Sequence, residues 1–282
     1  MQAPTVPPEF DVDKNSKELD AEYALEAMEY FRLKDSKQLK RIVKIDLQIS
    51  NPDLTKNVFF VLFDWLYTVR KKFKFGMETW FFACNYTREY ILNSRNIAKK
   101  KVQLIGITAL FIASKFEEIQ VPELRDFDYI SAHTYSEKQI LECEQEIIAA
   151  VDWNLNQVSI WTFIGRVSQL AEQFIPKEKY KELKELLMYY ICVPNFDFSL
   201  FQKYLTLDLA LACYWLAAFT LDLPTWHEYF TVHFRKNEKE LEQVVLDLFP
   251  IFQEIRKKEK LDFHPISLQH KLPKTPTKKD FK

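Results

Sequence analysis

The side chains of this chain best suited to chemistry are charges at the end of a greasy helix. Lys101 to Ile119 reads KVQLIGITALFIASKFEEI, with nine apolar residues among positions 102 to 114. That is too few for a membrane span and right for the central helix of a bundle. Lys115 suits a helix C-terminus, where it faces the negative end of the macrodipole, but Glu117 and Glu118 gain nothing from that place. They are either a charged exit into solvent or part of a recognition site. Glu144 is a second misplaced charge, because Ile140, Ile147 and Val151 share its face at helical spacing. It reaches water at the edge of the stripe or finds a cation or N–H partner. Such groups offer charge-assisted hydrogen bonding to a partner, not bond making.

The rest of the composition points away from catalysis. Only three glycines occur, Gly76, Gly106 and Gly165, so neither a phosphate cradle nor a nucleophile elbow can be built. The five histidines have no ligand spacing, and Cys84, Cys143, Cys192 and Cys213 show no paired pattern. No catalytic residue, metal site or cofactor is expected, and the thiols read as core residues of a reducing compartment. A net charge of −1 gives no electrostatic case for nucleic acid. MQAPTVPPEF at the N-terminus lacks the features of a secretory signal, so nucleus and cytoplasm are the expected locations, with no membrane partner.

The elements that must position the charges are helices. The chain of 282 residues, 48% apolar and 15% aromatic, can build two cores. Few glycines and long apolar periodicities exclude sheets, so the fold class is all-α. After a proline-rich, disordered stretch over 1–16, a helix is expected at about 17–33, followed by an extended passage ending at Asn51 and Pro52. Five helices follow at about 54–73, 78–93, 99–118, 122–130 and 136–151, and five more at 160–174, 177–192, 200–219, 224–233 and 238–257.

The two sets read as one unit used twice. Ser136 with Gln139, and Asn237 with Glu240, both have capping-box form, 101 positions apart. Prolyl turns at Pro122 and Pro224 precede them, and Ala-rich apolar helices precede those. At the same offset Lys115 corresponds to Leu216, and Glu144 to Val245. A requirement of the fold would appear in both copies, so the charged pair reads as functional.

LIGITALFIASKFEEI resembles the signature of the cyclin box, closest to A/B-type cyclins. Phe63 to Leu92 and Thr134 to Asn156 follow the cyclin pattern, and residues 160–255 are similar to the second, more variable repeat. The resemblance implies two tandem five-helix cyclin-box repeats, at 54–156 and 157–258, with an additional N-terminal helix and linker over 17–53 and a basic disordered tail over 259–282. It implies a non-catalytic subunit that binds and activates a cyclin-dependent kinase as a heterodimer. Lys115 and Glu144 would then hold backbone around the kinase helix that carries its ATP-orienting glutamate, flanked by Phe116, Ile148, Trp153 and Leu155. A second site is implied on the helix at 54–73, apolar on every side: Val58, Val61, Leu62 and Trp65, with Val102 and Gln103, match a patch that docks basic-x-Leu peptides of substrates and inhibitors.

The match has departures. The family's acidic position one turn after the tryptophan is Thr68, which removes a partner for a basic side chain. An arginine and aspartate paired in most cyclins are here Phe59 and Arg88, so an apolar contact is expected to replace the ion pair. In the lysine-rich tail, Thr275-Pro276-Thr277-Lys278 resembles a kinase substrate motif, making Thr275 a candidate phosphosite, and the same lysines could serve nuclear import. A transcription factor of the same fold and a helical scaffold are the alternatives. The first is expected to show a basic surface or zinc ribbon, and the second does not need the Lys115 and Glu144 asymmetry.

Overall fold

An apolar run such as Val102 to Ser114 is stable only where other helices enclose it. The computed structural model describes residues 23–42, 46–257 and 275–281. Among these the helices are α1 (Ala24–Arg41), α2 (Leu47–Ser50), α3 (Lys56–Phe73), α4 (Met77–Asn93), α5 (Val102–Glu117), α6 (Leu124–Ile130), α7 (Glu137–Ala150), α8 (Ile160–Ala171), α9 (Lys177–Tyr190), α10 (Phe198–Lys203), α11 (Thr206–Thr220), α12 (Glu228–Phe234) and α13 (Glu242–Arg256). No strand occurs among the described residues. Helix α5 is enclosed by α3, α4, α6 and α7, and α11 by α8, α9 and α13. Both axial helices are buried over most of their length. Ser136 and Asn237 each form the reciprocal capping box their spacing implies.

Three expectations are corrected. The N-terminal helix does not stop near residue 33 but runs to Arg41, with residues 17–22 outside the described residues, and the passage after it includes the short helix α2. The expected helix at 200–219 is two helices, α10 and α11, broken at Tyr204 and Leu205. The break is made by a residue far away in sequence. Buried Asp35 of α1 accepts hydrogen bonds from the backbone N–H groups of Thr206 at 3.1 Å and Leu207 at 2.9 Å, so α11 begins where that carboxyl waits for it.

The third correction concerns the tail, expected to be disordered from 259 on. Residues 258–274 lie outside the described residues, but 275–281 pack on the second repeat. Phe281 stacks on Trp215 with centroids 4.5 Å apart, Lys278 Nζ lies 3.4 Å from Glu242, and Asp280 accepts from the backbone N–H of Thr277. The aromatic anchor accounts for the order, because a buried ring pair contributes about 0.5–1.5 kcal/mol beyond its area.

Helix α1 fastens the two repeats together. Besides Asp35, its Gln38 brackets the linker at Val158, donating to the carbonyl and accepting from the N–H at 2.9 Å each. Arg41 pairs with Glu89 and donates to the Val151 carbonyl at 2.9 Å. Between the repeats, Phe59 lies 4.2 Å from Phe198, and Phe60 lies 4.8 Å from Phe196. The apolar contact expected at Phe59 is therefore with the second repeat. Arg88, also buried, sets its guanidinium 3.6 Å over the Phe201 ring and donates to Asn85. Burial lowers its pKa to about 10.

Glu118, just past the end of α5, is explained by the start of α4. Its Oε1 accepts from the backbone N–H of Gly76 at 2.8 Å and from the Thr79 hydroxyl. A carboxylate there serves an orphan donor and faces the positive end of the α4 dipole. The expectation that helix stability could not account for both glutamates fails for this one: the helix it stabilises is not its own. Glu118→Ala should cost about 1 kcal/mol of unfolding free energy in urea titration. An unchanged midpoint would reject the cap.

The Asp35 carboxyl is raised from 3.8 to about 6, because burial outweighs the two backbone N–H bonds that lower it. The folded state therefore holds a proton that the unfolded chain releases. The stability linked to this group is present below about pH 4 and is lost as pH rises through about 6, a change of roughly 3 kcal/mol. Compared with Asp35→Asn, the wild-type chain should lose stability between pH 4.5 and 7; parallel pH profiles would contradict this.

Candidate functional site

Lys115 stands in the last turn of α5 and Glu144 in the middle of α7, and packing of these helices brings the two into a direct ion pair. The lysine is exposed and its ammonium lies 4.3 Å over the Phe111 ring, while Glu144 is mostly buried. The apolar positions corresponding to them in the second repeat, Leu216 and Val245, are sealed in its core. The same architecture thus carries a charged pair at the surface in one copy and buried hydrocarbon in the other.

The four other predicted residues differ in exposure. Phe116 is 43% exposed and Trp153 is 76% exposed, whereas Ile148 and Leu155 are half-buried. Trp153 is presented by a tight end to α7: Asp152 and Trp153 have φ of 52° and 57°, in the left-handed region that a non-glycine residue enters at a cost of about 1–2 kcal/mol. The Trp153 N–H returns to the Ile148 carbonyl at 3.0 Å, and Tyr86 holds the Leu155 carbonyl at 2.6 Å. A strained backbone that holds a large aromatic in solvent is the kind of feature that gathers at binding surfaces. Sequence reasoning missed two neighbours. Ile119 is fully exposed next to Glu118, and Leu141 is exposed on α7. Their signals were an apolar residue just past a helix end and one on an otherwise charged helix face. Burial, with the charge of Glu118, pushes the Glu117 carboxyl up from its ordinary value.

The second predicted set also comes together. Val58, Val61, Leu62 and Trp65 of α3, with Val102 and Gln103 of α5, line one groove of about 350 Å³, joined by Asn57 and Lys99. The helices approach closely because position 106 has no side chain: a Cβ on Gly106 would sit 2.7 Å from a Leu62 methyl. Buried Asn51 ties down the segment before Lys99, accepting from the Ile97 N–H at 2.8 Å and donating to the Ser94 carbonyl at 3.0 Å. That fixes the approach to the turn Lys99–Lys101, which leads into α5. Thr68 follows on the same helix, its hydroxyl 3.3 Å from the Asp64 carbonyl. Thr275 is exposed, and the proline after it is buried.

Among the described residues no group of three or more His, Cys, Asp or Glu could hold a metal ion, and no helix is long and apolar enough to cross a membrane. The buried cysteines sit in apolar surroundings that raise the pKa of Cys84, Cys143, Cys192 and Cys213. What the surface offers is an exposed ammonium on a buried carboxylate, two exposed aromatic residues and an apolar groove.

Residues 26–156, which carry both sites, match the family described as cyclin, N-terminal domain. Cyclin-A2 of Gallus gallus is 34% identical over 185 residues, covering 66% of this chain and 45% of the relative. G2/mitotic-specific cyclin-B of Emericella nidulans is 29% identical over 243 residues, covering 84% and 48%. The chain thus spans about half the length of the relatives it matches. Among solved structures, a viral cyclin from herpesvirus saimiri superposes with a TM-score of 0.61 at 14% identity, covering 82% of this chain and 96% of that one. A chain of the yeast RNA Pol II CTD kinase CTDK-1 complex gives 0.60 at 15% identity, covering 95% and 79%. At such identities the likeness is one of fold, and it extends over both repeats. With a matching N-terminal domain, relatives among the A- and B-type cyclins and this two-repeat helical fold, the chain belongs to the cyclin family.

Proposed function

We propose that this chain is a non-catalytic regulatory subunit that binds and activates a cyclin-dependent Ser/Thr kinase, and that its groove on α3 and α5 recruits substrates in cell-cycle control. The observation that carries the first part is the Lys115–Glu144 pair, which brings an exposed ammonium onto a mostly buried carboxylate on the first repeat and is replaced by buried Leu216 and Val245 on the second. The second repeat closes its bundle with hydrocarbon at both places, so the fold alone does not explain the pair. Aromatic anchors beside hydrogen-bonding charges are the usual composition of an interface core. A solved relative in fold comes from a kinase complex, which supports a kinase as the partner. The groove supports recruitment by its shape and its apolar lining.

Reconstitution with candidate cyclin-dependent kinases, read as phosphate transfer to a histone-type substrate, tests the proposal. Lys115→Ala and Glu144→Ala should each weaken kinase binding by about 2–5 kcal/mol, because the remaining group is desolvated without its partner. The unfolding free energy of Glu144→Ala, which leaves only the exposed ammonium, should change by no more than about 1 kcal/mol, whereas Lys115→Ala leaves the buried carboxylate unpaired and should cost more. Activation by both variants at the wild-type level would reject the assignment.

The active complex should also modify the chain itself. Thr275 is exposed but Pro276 is buried, so the segment that ends at Phe281 must lift from Trp215 before a proline-directed kinase can read it. Mass spectrometry of the complex after incubation with ATP should find phosphate on Thr275, and find it faster in Phe281→Ala. An unmodified Thr275 in both proteins would end this part of the proposal.

A further inference from the structure

The groove between α3 and α5 has an electrostatic character opposite to the one expected for a basic-x-Leu ligand. No carboxylate is among its lining residues, and its single charged lining residue is Lys99. That ammonium is exposed and pairs with no acid among the described residues, unlike Lys101 two residues on, which binds Glu146 at 2.6 Å. Trp65 and Gln103 add donors, and Asn57 adds an amide with both a donor and an acceptor. The indole N–H of Trp65 has no partner among the described residues, and the Gln103 side-chain carbonyl is engaged by the Tyr135 hydroxyl at 3.3 Å, which leaves its NH₂ to face a ligand.

Further along α3, outside the groove lining, the sign is the same. Seven positions after Trp65, on the same side of α3, comes exposed Lys72, and Thr68 between them carries no charge. Asp64 is half-buried next to Trp65 but is not among the lining residues. A ligand lying along α3 therefore meets a cation beside it, another beyond Trp65, amide and indole donors between them, and an apolar floor of Val58, Val61 and Leu62. The chemistry this accepts is a peptide with aliphatic or aromatic anchors and acidic flanks. A basic flank would meet like charge, which disfavours the wrong partner as strongly as opposite charge favours the right one.

We infer that the groove selects acidic peptides with apolar anchors in place of basic ones. This rests on the reading of the groove as a docking site and names the class of partner it takes. Lys99 and Lys72 determine the sign of the preference, while Trp65 and the valines supply the contact area.

The test uses the full chain and two fluorescein-labelled decapeptides read by fluorescence anisotropy. Both carry the same leucine and phenylalanine anchors; one has two aspartates and two glutamates as flanks, and the other has arginines and lysines at the same places. The acidic peptide should bind about fivefold tighter at low salt, and raising the ionic strength should reduce the difference. Lys99→Glu, at an exposed position that the fold does not depend on, should abolish or reverse the preference, and Trp65→Ala should remove binding of either peptide. Tighter binding of the basic peptide, or a preference that Lys99→Glu leaves intact, would overturn the inference while leaving the groove as a docking site. Failure of both peptides to bind, or binding that Trp65→Ala does not affect, would overturn the docking reading and the inference together.

Discussion

Helices that begin inside a packed interface leave backbone N–H groups that water cannot reach, and the architecture depends on how those groups find partners. Leaving one of them unpaired costs about 1–3 kcal/mol. In this chain the acceptors come from remote positions. Asp35 of α1 serves the buried first turn of α11, and at the exposed start of α4 the Gly76 N–H is served by Glu118 from past α5. Gln38 satisfies both backbone groups of Val158 in the linker. Each contact makes one element's starting point depend on another element's position, so the two repeats and the N-terminal helix are placed relative to one another by hydrogen-bond direction as well as by apolar burial.

This constraint separates charges that build the fold from charges that it presents. Glu118 and Asp35 face inward onto helix starts. Lys115 and Glu144 serve no other helix's start and bind each other, with the ammonium left exposed. The second repeat, with Leu216 and Val245 buried at the same places, shows that the bundle closes without them. Proximity along the chain had suggested a common role for Lys115, Glu117 and Glu118, but the last of these belongs to α4.

Much of the first repeat was legible in the sequence because its signals are local. The apolar run of α5, the capping box at Ser136 and the helical spacing of Val58, Val61, Leu62 and Trp65 depend on residues within a few turns of each other, as does the capping box at Asn237 in the second repeat. Where the reading failed, the deciding partner was distant. Asp35 of α1 and the helix start after the break at Tyr204 and Leu205 lie 171 residues apart, and no window contains both. The tail looked disordered by composition, since one phenylalanine among lysines gives no periodicity; the slot at Trp215 gives it a place. Arg88 likewise reads as a surface charge until Phe201 covers it.

The sequence by itself determined the class of structure, the duplication and the residues that break its symmetry, because periodicity, capping and side-chain type are properties of short stretches. Tertiary structure decided which charges meet. It turned Glu118 inward and left Lys115 outward, placed Lys99 on the wall of the α3 groove and closed Asp35 over α11. Those outcomes depend on interhelical distance and on access of water, and neither quantity exists until the helices have packed.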